Sequence, residues 1–265
     1  MIIGARTGAW AKSGYTARDY VQDGLIAMWD GIENAGWGVH DPNTTVWKDL
    51  VGGFDLENQQ GGFNDNFYWM DNGLYCNDAT SRCFYGAKGG IPSSIVDAVN
   101  NGNITCECVT LHRRTINAGY LLSSIHRIGS TNYNVFSVLA PVSGGYSSIK
   151  DGWGVKSVDY SLNQTDFPTL QENPSYIVVV KNDDLSIYAK CMYDNKTQES
   201  FGSSANLIEM SSDMWLCIGS MGNSVFWTGR NTIGNYYCNR LYNRALTDEE
   251  IAHNYAIDKA RFNLP

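Results

Sequence analysis

Acidic side chains are the first residues to test for chemistry, because the chain carries 27 Asp and Glu residues against 19 Lys and Arg residues. Glycoside hydrolysis needs two carboxylates on opposite sides of a sugar, about 5 Å apart in retaining enzymes and further apart in inverting ones. On one strand, carboxylates two or four residues apart would share a face. No strand-like segment carries such a set, and Asp65, residues 183–184 and residues 248–250 fall in predicted turns or at a predicted helix start. The sequence therefore predicts no enzyme, and a divergent glycoside hydrolase is the remaining catalytic alternative.

Histidine and cysteine spacing indicates no other catalytic or metal centre. The four histidines form no His-Glu-x-x-His pair, and the chain contains no Gly-x-Ser-x-Gly, phosphate-binding loop or Cys-x-x-Cys motif. Cys106 and Cys108 lie two residues apart in a strand-like run, so we expect both on one face as core thiols and not as a disulfide. The seven cysteines are odd in number and scattered, which favours reduced thiols in a protein that folds in a cytoplasm.

Exposed aromatic rings beside polar groups are the residues that could bind a sugar, since a ring contacts the apolar face of the sugar while polar groups bond its hydroxyls. Aromatic side chains in a β-protein also pack in the core or along edges, and that alternative stays open for each candidate. We assign Trp29, Trp47 and Trp215 to the core. The sugar-binding candidates, all on predicted loops, are Trp37 with His40 and Asp41, Tyr146 with Trp153, and Trp227 with Arg230.

Oxygen-bearing side chains near the first predicted loop could gather around a calcium ion, which binds carboxylate, amide and carbonyl oxygens. The candidates are Asp30, Asp41 and Asp49, with Asn43 beside them. Asp and Asn also form turns without any ion, so a turn-forming role is the competing interpretation.

Only 17% of the chain is charged, whereas Gly, Tyr and Trp are abundant, and this composition favours a β-rich protein over a helical one. We therefore expect strands and the loops between them to position these residues. The length of 265 residues suits one large β-domain. Residues 25–29 form a short apolar run typical of a core strand, and residues 104–113 alternate between two faces. The Asn-Gly step at residues 72–73 predicts a hairpin turn. Further predicted elements are strands at 120–128, 133–139, 153–161, 176–180, 185–192 and 215–219, a loop at 143–152 and a helical turn at 93–99.

The segment 235–257 begins as a strand and continues as a helix. Thr247 is the predicted N-cap, and Glu250 stands three residues later, which is the spacing of a capping box. We expect Ile251, Tyr255 and Ala252 to face the body of the protein.

The same segment, NYYCNRLYNRALTDEEIAHNYAI, resembles the closing segment of laminin-G-like domains in the concanavalin A-like lectin/glucanase superfamily. GLIAMW, at residues 24–29, resembles the first strand of that family, and ITCECVTLHR, at residues 104–113, resembles its central strand. The resemblance covers residues 20–262. It implies an all-β fold of two antiparallel sheets in a jelly-roll sandwich, with a short C-terminal helix over an edge or one end. The family carries an acidic pair where this chain has Tyr237 and Cys238, which argues against a calcium site of the family type.

The resemblance implies a non-catalytic recognition or adhesion module with a glycan as ligand, formed by residues 20–265 behind an N-terminal arm of residues 1–19. Such a free-standing module is similar to bacteriophage tail-fibre, receptor-binding and decoration proteins. We therefore expect a location on a virion or cell exterior after folding in a cytoplasm, with the arm joined to other structural chains. A purely structural assembly protein that binds no sugar is the alternative.

Charge and hydropathy exclude two classes of partner. The net charge of −8 and the absence of a Lys/Arg-rich block argue against nucleic-acid binding. No run of eighteen apolar residues is present, so we expect no membrane insertion. The first ten residues, MIIGARTGAW, lack the apolar region of a secretory signal, and we expect none.

Overall fold

The structure, a computed structural model, describes most of the chain. The described residues are 14–58, 63–77, 84–86, 90–115, 120–128, 131–139, 146–151, 156–161, 174–181, 186–191, 196–201, 210–219 and 232–264.

Strands dominate the described residues, which contain sixteen strands and two α-helices. The strands are β1 Leu25–Asp30, β2 Val46–Trp47, β3 Leu56–Asn58, β4 Phe67–Met70, β5 Gly73–Cys76, β6 Phe84–Tyr85, β7 Ile104–Thr115, β8 Tyr120–Ile128, β9 Thr131–Leu139, β10 Tyr146–Asp151, β11 Lys156–Ser161, β12 Pro174–Lys181, β13 Ser186–Cys191, β14 Lys196–Phe201, β15 Trp215–Ile218 and β16 Thr232–Tyr242. The helices are α1 Ser93–Asn100 and α2 Asp248–Phe262.

The strands form two sheets in which the neighbours are antiparallel. Sheet A has the order β14-β13-β12-β7-β16-β5-β4, and β1 also pairs with β16. Sheet B has the order β11-β10-β9-β8-β15-β6-β3-β2. The prediction of an all-β fold with two antiparallel sheets is confirmed at this level.

Aromatic side chains fill the space between the sheets. Trp47 of sheet B packs edge-on against Trp69 of sheet A with their ring centroids 5.1 Å apart, and Phe84 of sheet B lies 5.3 Å from Trp69. Trp29 is fully buried, and its indole N–H donates to the carbonyl oxygen of Phe54 at 3.0 Å. Trp29 and Trp47 are core residues as predicted, because face-to-face sheets remove the inward side chains from water. The third predicted core tryptophan, at 215, is half-buried at the start of β15.

Strand β7 shows the alternation that the sequence predicts. Ile104, Cys106 and Cys108 lie in the core between the sheets, whereas Val109 lies in a second apolar cluster on the other face of sheet A. The Sγ atoms of Cys106 and Cys108 are 3.6 Å apart, and both thiols are free and buried, as predicted. Sheet A is therefore covered on both faces around β7 and β16.

Helix α2 provides the cover on the outer face of sheet A. Thr247 and Glu250 form the predicted capping box, and Ile251 is buried while Tyr255 is half-buried. Ala252 is exposed, so its predicted inward orientation is wrong: one residue advances a helix by about 100°, and Ile251 already marks the inner face. The helix has fifteen residues and lies across the face of sheet A, where a shorter helix over an edge or end was expected.

Two predicted turns have different outcomes. Strands β4 and β5 form the predicted hairpin, with Met70 opposite Gly73. A methyl group on Gly31 would lie 2.5 Å from the Cα atom of Gly73, so these glycines allow a close approach of two backbones. The predicted loop at 143–152 is wrong, because it contains β10, whose pairing with β9 and β11 overrides the local Gly and Ser content. The predicted hairpin of β12 and β13 and the helical turn at α1 are confirmed.

In the part of the chain that the structure describes, no helix is both long enough and apolar enough to span a bilayer.

Candidate functional site

An open cavity lies where the loop after β1 meets the N-terminal segment and the end of α2. Its volume is about 170 Å³. Trp37 is half-buried in its wall, and Tyr15 is 43% exposed at the same place. The lining residues are Tyr15, Thr16, Arg18, Ile32, Glu33, Trp37, Gly38 and Arg261.

The loop that carries Trp37 is shaped by two acidic side chains. One carboxylate oxygen of Asp30, the last residue of β1, accepts the backbone N–H groups of Ile32 at 2.9 Å and of Glu33 at 3.0 Å, which turns the chain out of the strand. The carboxylate of Glu33 then accepts the N–H of Gly38 at 2.7 Å. Gly38 has φ +71°, a conformation that favours glycine, so the backbone can place this N–H beneath the cavity.

Glu33 also joins the other two segments to the loop. Its Oε1 atom accepts the backbone N–H of Ala17 at 2.9 Å and a guanidinium N–H of Arg261 at 3.1 Å. Ala17 is fully buried, and Glu33 is 6% exposed. One carboxylate therefore holds the three walls of the cavity together.

The N-terminal wall is a single short turn. Thr16 caps the 3-10 helix Ala17–Asp19, and Asp19 accepts both the backbone N–H and the hydroxyl of Thr16 at 2.6 and 2.9 Å. These two hydrogen bonds, the backbone one first, lower the pKa of Asp19 below its ordinary value. Ala17, which lies within the arm that the sequence predicts over residues 1–19, and Tyr20 pack into the apolar cluster beneath α2. Residues 1–13 of that predicted arm lie outside the described residues.

Arg18 lies over Trp37 at the mouth of the cavity. Its guanidinium carbon is 4.2 Å from the centroid of the indole ring, within the range of a cation–π interaction. Among the described residues, no carboxylate forms an ion pair with Arg18. The cavity therefore presents one cation whose N–H donors have no acidic partner among the described residues.

Behind the cavity, a buried ionic network joins α2 to sheet A. Arg261 donates to Asp30 at 2.6 Å and to the hydroxyl of Tyr20 at 3.0 Å, and Tyr20 donates to Asp258 at 2.7 Å. Burial, the largest single effect, would lower the pKa of Arg261, but the charges and hydrogen bonds of Asp30 and Tyr20 together outweigh it and the net shift is upward. Burial, with the charge of Asp258, raises the pKa of Tyr20 well above its ordinary value. Arg261 is therefore a fixed cation, and Tyr20 is a fixed hydroxyl donor.

The network continues through Arg240, in the middle of β16. Its guanidinium donates to Glu107 of β7 at 2.6 Å and to both carboxylate oxygens of Asp258. The ring of Tyr20 lies 4.0 Å from the guanidinium carbon. Asn254 of α2 donates to Glu107 at 3.0 Å, which satisfies a second lone pair of that carboxylate.

Sequence reasoning missed this network, although one signal for it exists. Asn254, Asp258 and Arg261 follow Ile251 at helical spacing, so they lie on the same face as that buried side chain. A polar stripe on the apolar face of a helix indicates partners on the sheet beneath it. The partners Glu107 and Arg240 lie on β7 and β16. No local pattern in the sequence relates these strand residues to the helix.

Of the predicted sugar-binding residues, one lines the cavity, two lie in the same loop, and the side chains of the others lie outside the described residues. Trp37 lines the cavity, whereas His40 and Asp41 lie in the same loop outside the set of lining residues. The Nδ1 atom of His40 is 3.0 Å from the carbonyl oxygen of Ile32, and one carboxylate oxygen of Asp41 accepts the backbone N–H of Asn43. Tyr146 belongs to β10, and its side chain lies outside the described residues together with Trp153, Trp227 and Arg230.

The predicted metal ligands are engaged by protein donors. Asp30 is held by Arg261, and the carboxylate of Asp49 accepts the backbone N–H groups of Met28, Val51 and Phe54. Asp41 forms a turn. Within the described ranges, no group of three His, Cys, Asp or Glu residues could hold a metal ion, so the structure does not bring Asp30, Asp41 and Asp49 together.

No protein-family model matches this sequence, and no curated protein matches it. Solved structures do share its fold. Trypanosoma rangeli sialidase in complex with sialic acid matches with a TM-score of 0.59 and 16% identity, covering 89% of this chain and 33% of the sialidase chain. The binding domain of Botulinum Neurotoxin DC in complex with SialylT matches with a TM-score of 0.56 and 10% identity, covering 90% of this chain and 52% of the other.

The binding domain of botulinum neurotoxin serotype D/C VPI 5993 gives a TM-score of 0.55 at 10% identity. This chain thus spans about a third of the sialidase and about half of the neurotoxin binding domains. At such identities the likeness establishes the fold and leaves the function to be argued from the site.

Proposed function

We propose that this protein is a non-catalytic glycan-binding module and that the cavity beside Trp37 is its sugar site. The observation that carries the proposal is the open cavity with two aromatic walls, Tyr15 and Trp37, next to the hydroxyl of Thr16 and charged side chains. Aromatic rings contact the apolar faces of sugars, and nearby polar groups bond the hydroxyls. The three hydrogen bonds of Glu33 fix the walls before a ligand arrives, which lowers the entropic cost of binding.

The structural neighbours support this proposal at the level of fold. One is a sialidase in complex with sialic acid, and another is a toxin binding domain in complex with SialylT. A β-fold of this kind therefore occurs in proteins that bind sugar ligands. Folds host many functions, and the cavity therefore remains the stronger argument.

We propose binding in preference to hydrolysis, although a sialidase is among the neighbours. Among the described residues that line the cavity, Glu33 is the one carboxylate, and its oxygens accept two backbone N–H groups and a guanidinium. A general acid must gain and lose a proton during turnover, and two opposed carboxylates are needed for glycoside hydrolysis by the common route. The second nearby carboxylate, Asp30, is held behind the cavity by Arg261.

The finer predictions from the sequence stay proposals. They are a laminin-G-like jelly roll, a place on a virion or cell exterior, and attachment to other structural chains through residues 1–19. A purely structural assembly protein is the rival function, and it predicts a folded protein that binds no sugar.

A glycan-array screen of the purified protein, with calcium and with EDTA, tests the proposal. Trp37→Ala removes one wall of the cavity, and we expect it to weaken binding at least about tenfold. Tyr68→Ala is the matched control, because Tyr68 is an exposed aromatic residue on β4 outside the cavity, 38% exposed and 4.9 Å from the ring of Tyr75. Trp153→Ala and Trp227→Ala test the other predicted sugar-binding sites.

Binding that survives Trp37→Ala but is lost in Trp153→Ala or Trp227→Ala would place the site elsewhere. If the folded protein binds no glycan in either condition, the structural-protein alternative becomes the better proposal. Dependence on calcium would revive a metal role for Asp30, Asp41 and Asp49.

A further inference from the structure

We infer that the ligand of this cavity is an acidic sugar whose carboxylate pairs with Arg18. The inference rests on the proposed function, and it adds the chemical class of the ligand. It starts from an imbalance of charge. Acidic residues outnumber basic ones by 27 to 19 in the chain, yet the guanidinium at the mouth of the cavity has no acidic partner among the described residues.

Arg18 is held in place without using its hydrogen-bond donors. The indole of Trp37 attracts the guanidinium charge at 4.2 Å, and a cation–π contact of this kind leaves N–H groups available. A guanidinium presents two parallel N–H donors that match the two oxygens of a carboxylate. Placing the cation over a ring in advance reduces the rotamer entropy that is lost on binding.

The other charges around the cavity are already compensated. Glu33 is bonded to Arg261 at 3.1 Å and to two backbone N–H groups, and Arg261 is further paired with Asp30. Asp19 is adjacent to Arg18 in sequence, but its carboxylate accepts two hydrogen bonds from Thr16. Among the charged lining residues, Arg261 and Glu33 are bonded to each other, so Arg18 is the charge that an incoming anion would meet.

The size of the cavity suits one sugar residue. Its volume is about 170 Å³, and it is open to solvent. Arg18 covers one face of Trp37, and Tyr15, which is 43% exposed, lines the cavity beside it. These features favour the terminal acidic residue of a glycan over the middle of a neutral chain.

Calorimetric titration of the full chain with N-acetylneuraminic acid and with its methyl ester tests the inference, because the two sugars differ in the charge of one carboxyl group. Galactose and galacturonic acid serve as a second neutral and acidic pair, since they differ only at C6. We expect each acid to bind at least about tenfold more tightly than its neutral counterpart. Arg18→Gln removes the charge of an exposed side chain and should reduce the affinity ratio of each acid to its neutral counterpart to about one.

Lys259→Gln is the matched control, because Lys259 is another exposed cation over an aromatic ring, 5.5 Å from the centroid of Tyr255, and lies outside the set of lining residues. An equal loss in Lys259→Gln would mean a general charge effect and would overturn the inference. Equal binding of acids and neutral sugars, lost in Trp37→Phe or Trp37→Ala but kept in Arg18→Gln, would overturn it and leave the proposed function standing. Absence of binding by any of the sugars and by the glycan array would remove both.

Discussion

Arg240 is a buried cation that bonds both to its own sheet and to the helix that covers it. It is 0% exposed, it donates to carboxylates on β7 and on α2, and its charge lies over the ring of Tyr20. Such a cation is stable in the interior because each of its charged neighbours is close and hydrogen-bonded. Removing one member of the set is costly, since the remaining charges stay buried without compensation.

Replacing Arg240 with methionine should therefore destabilise the protein by about 3–5 kcal/mol in the free energy of unfolding. The carboxylates of Glu107 and Asp258 would keep only neutral donors, Asn254 and Tyr20, among the hydrogen bonds described. Urea denaturation measures the effect. Lys48→Met is the control: Lys48 is paired with Asp55 but its side chain is 46% exposed, so the expected cost is about 0–1 kcal/mol.

A loss below about 1 kcal/mol for Arg240→Met would contradict a role for the buried ion pairs in stability. The variant could then be compared with Tyr20→Phe, which removes the hydroxyl that bonds to Asp258. The same hydroxyl accepts from Arg261 at 3.0 Å, and loss of the hydrogen bond to the charged Asp258 alone should cost about 1.5–3 kcal/mol.

At the scale of elements, α2 combines a predictable beginning with an unpredictable inner face. The capping box of Thr247 and Glu250 follows from local spacing alone, because both partners are within one turn. Arg244, just before the helix, also pairs with Glu250 through two N–H donors at 2.7 and 2.8 Å. The side-chain bond to Arg244, ahead of the backbone bond to Thr247, lowers the pKa of Glu250 to about 2.

This shift predicts a dependence of stability on pH. The folded pKa of Glu250 is below the unfolded value of about 4.3, so its carboxylate stabilises the protein above that value, and the contribution is lost as the pH falls toward 2. Glu250→Gln should cost roughly 0.5–1.5 kcal/mol at pH 7 and little near pH 2. Denaturation of wild type and variant between these pH values measures the difference.

Glu249→Gln is the matched control, because it removes the same charge one residue earlier from an exposed side chain. We expect a smaller cost that shows no comparable loss at low pH. A difference between wild type and Glu250→Gln that stays constant from pH 7 to pH 2 would contradict the argument.

The strands show the limit of local patterns most clearly. The alternation of β7 was sufficient to predict which residues face the core, because only one register buries Ile104, Cys106 and Cys108 together. Strand β10 was missed, since its residues YSSIKD show no apolar alternation and its existence depends on hydrogen bonds to β9 and β11. Pairing of this kind lies outside any sequence window.

At the scale of the whole molecule, the part of the site that a local pattern could predict differs from the part that depends on long-range packing. Trp37 was a candidate because an aromatic residue in a Gly-rich loop is recognisable locally. The other walls were not, because Arg261 is 228 residues from Glu33 in sequence and only the packing of α2 on sheet A brings them to 3.1 Å. The all-β fold could be predicted from composition and periodicity, whereas the layer formed by α2 and residues 14–24 could not.

That layer makes a prediction about the N-terminal boundary of the domain. Deleting residues 1–21 removes Tyr20 from beneath α2 and the backbone donors of Ala17 and Val21 from Glu33 and Asn254. Loss of one large buried aromatic side chain costs about 3–5 kcal/mol, which lowers the melting temperature by roughly 6–12 °C or more in a domain of this size. Sugar binding should be lost as well, since Tyr15, Thr16 and Arg18 leave the cavity.

Deleting residues 1–13 is the reference for this experiment, because the two shortened chains differ only by residues 14–21. The difference between their melting temperatures, measured by circular dichroism, therefore reports the packing of that segment alone. Equal melting temperatures would mean that residues 14–21 act as a loose arm, and the domain would begin after residue 21, later than the residue 20 that the sequence predicts. A large difference would make residues 14–21 contribute to the folded domain.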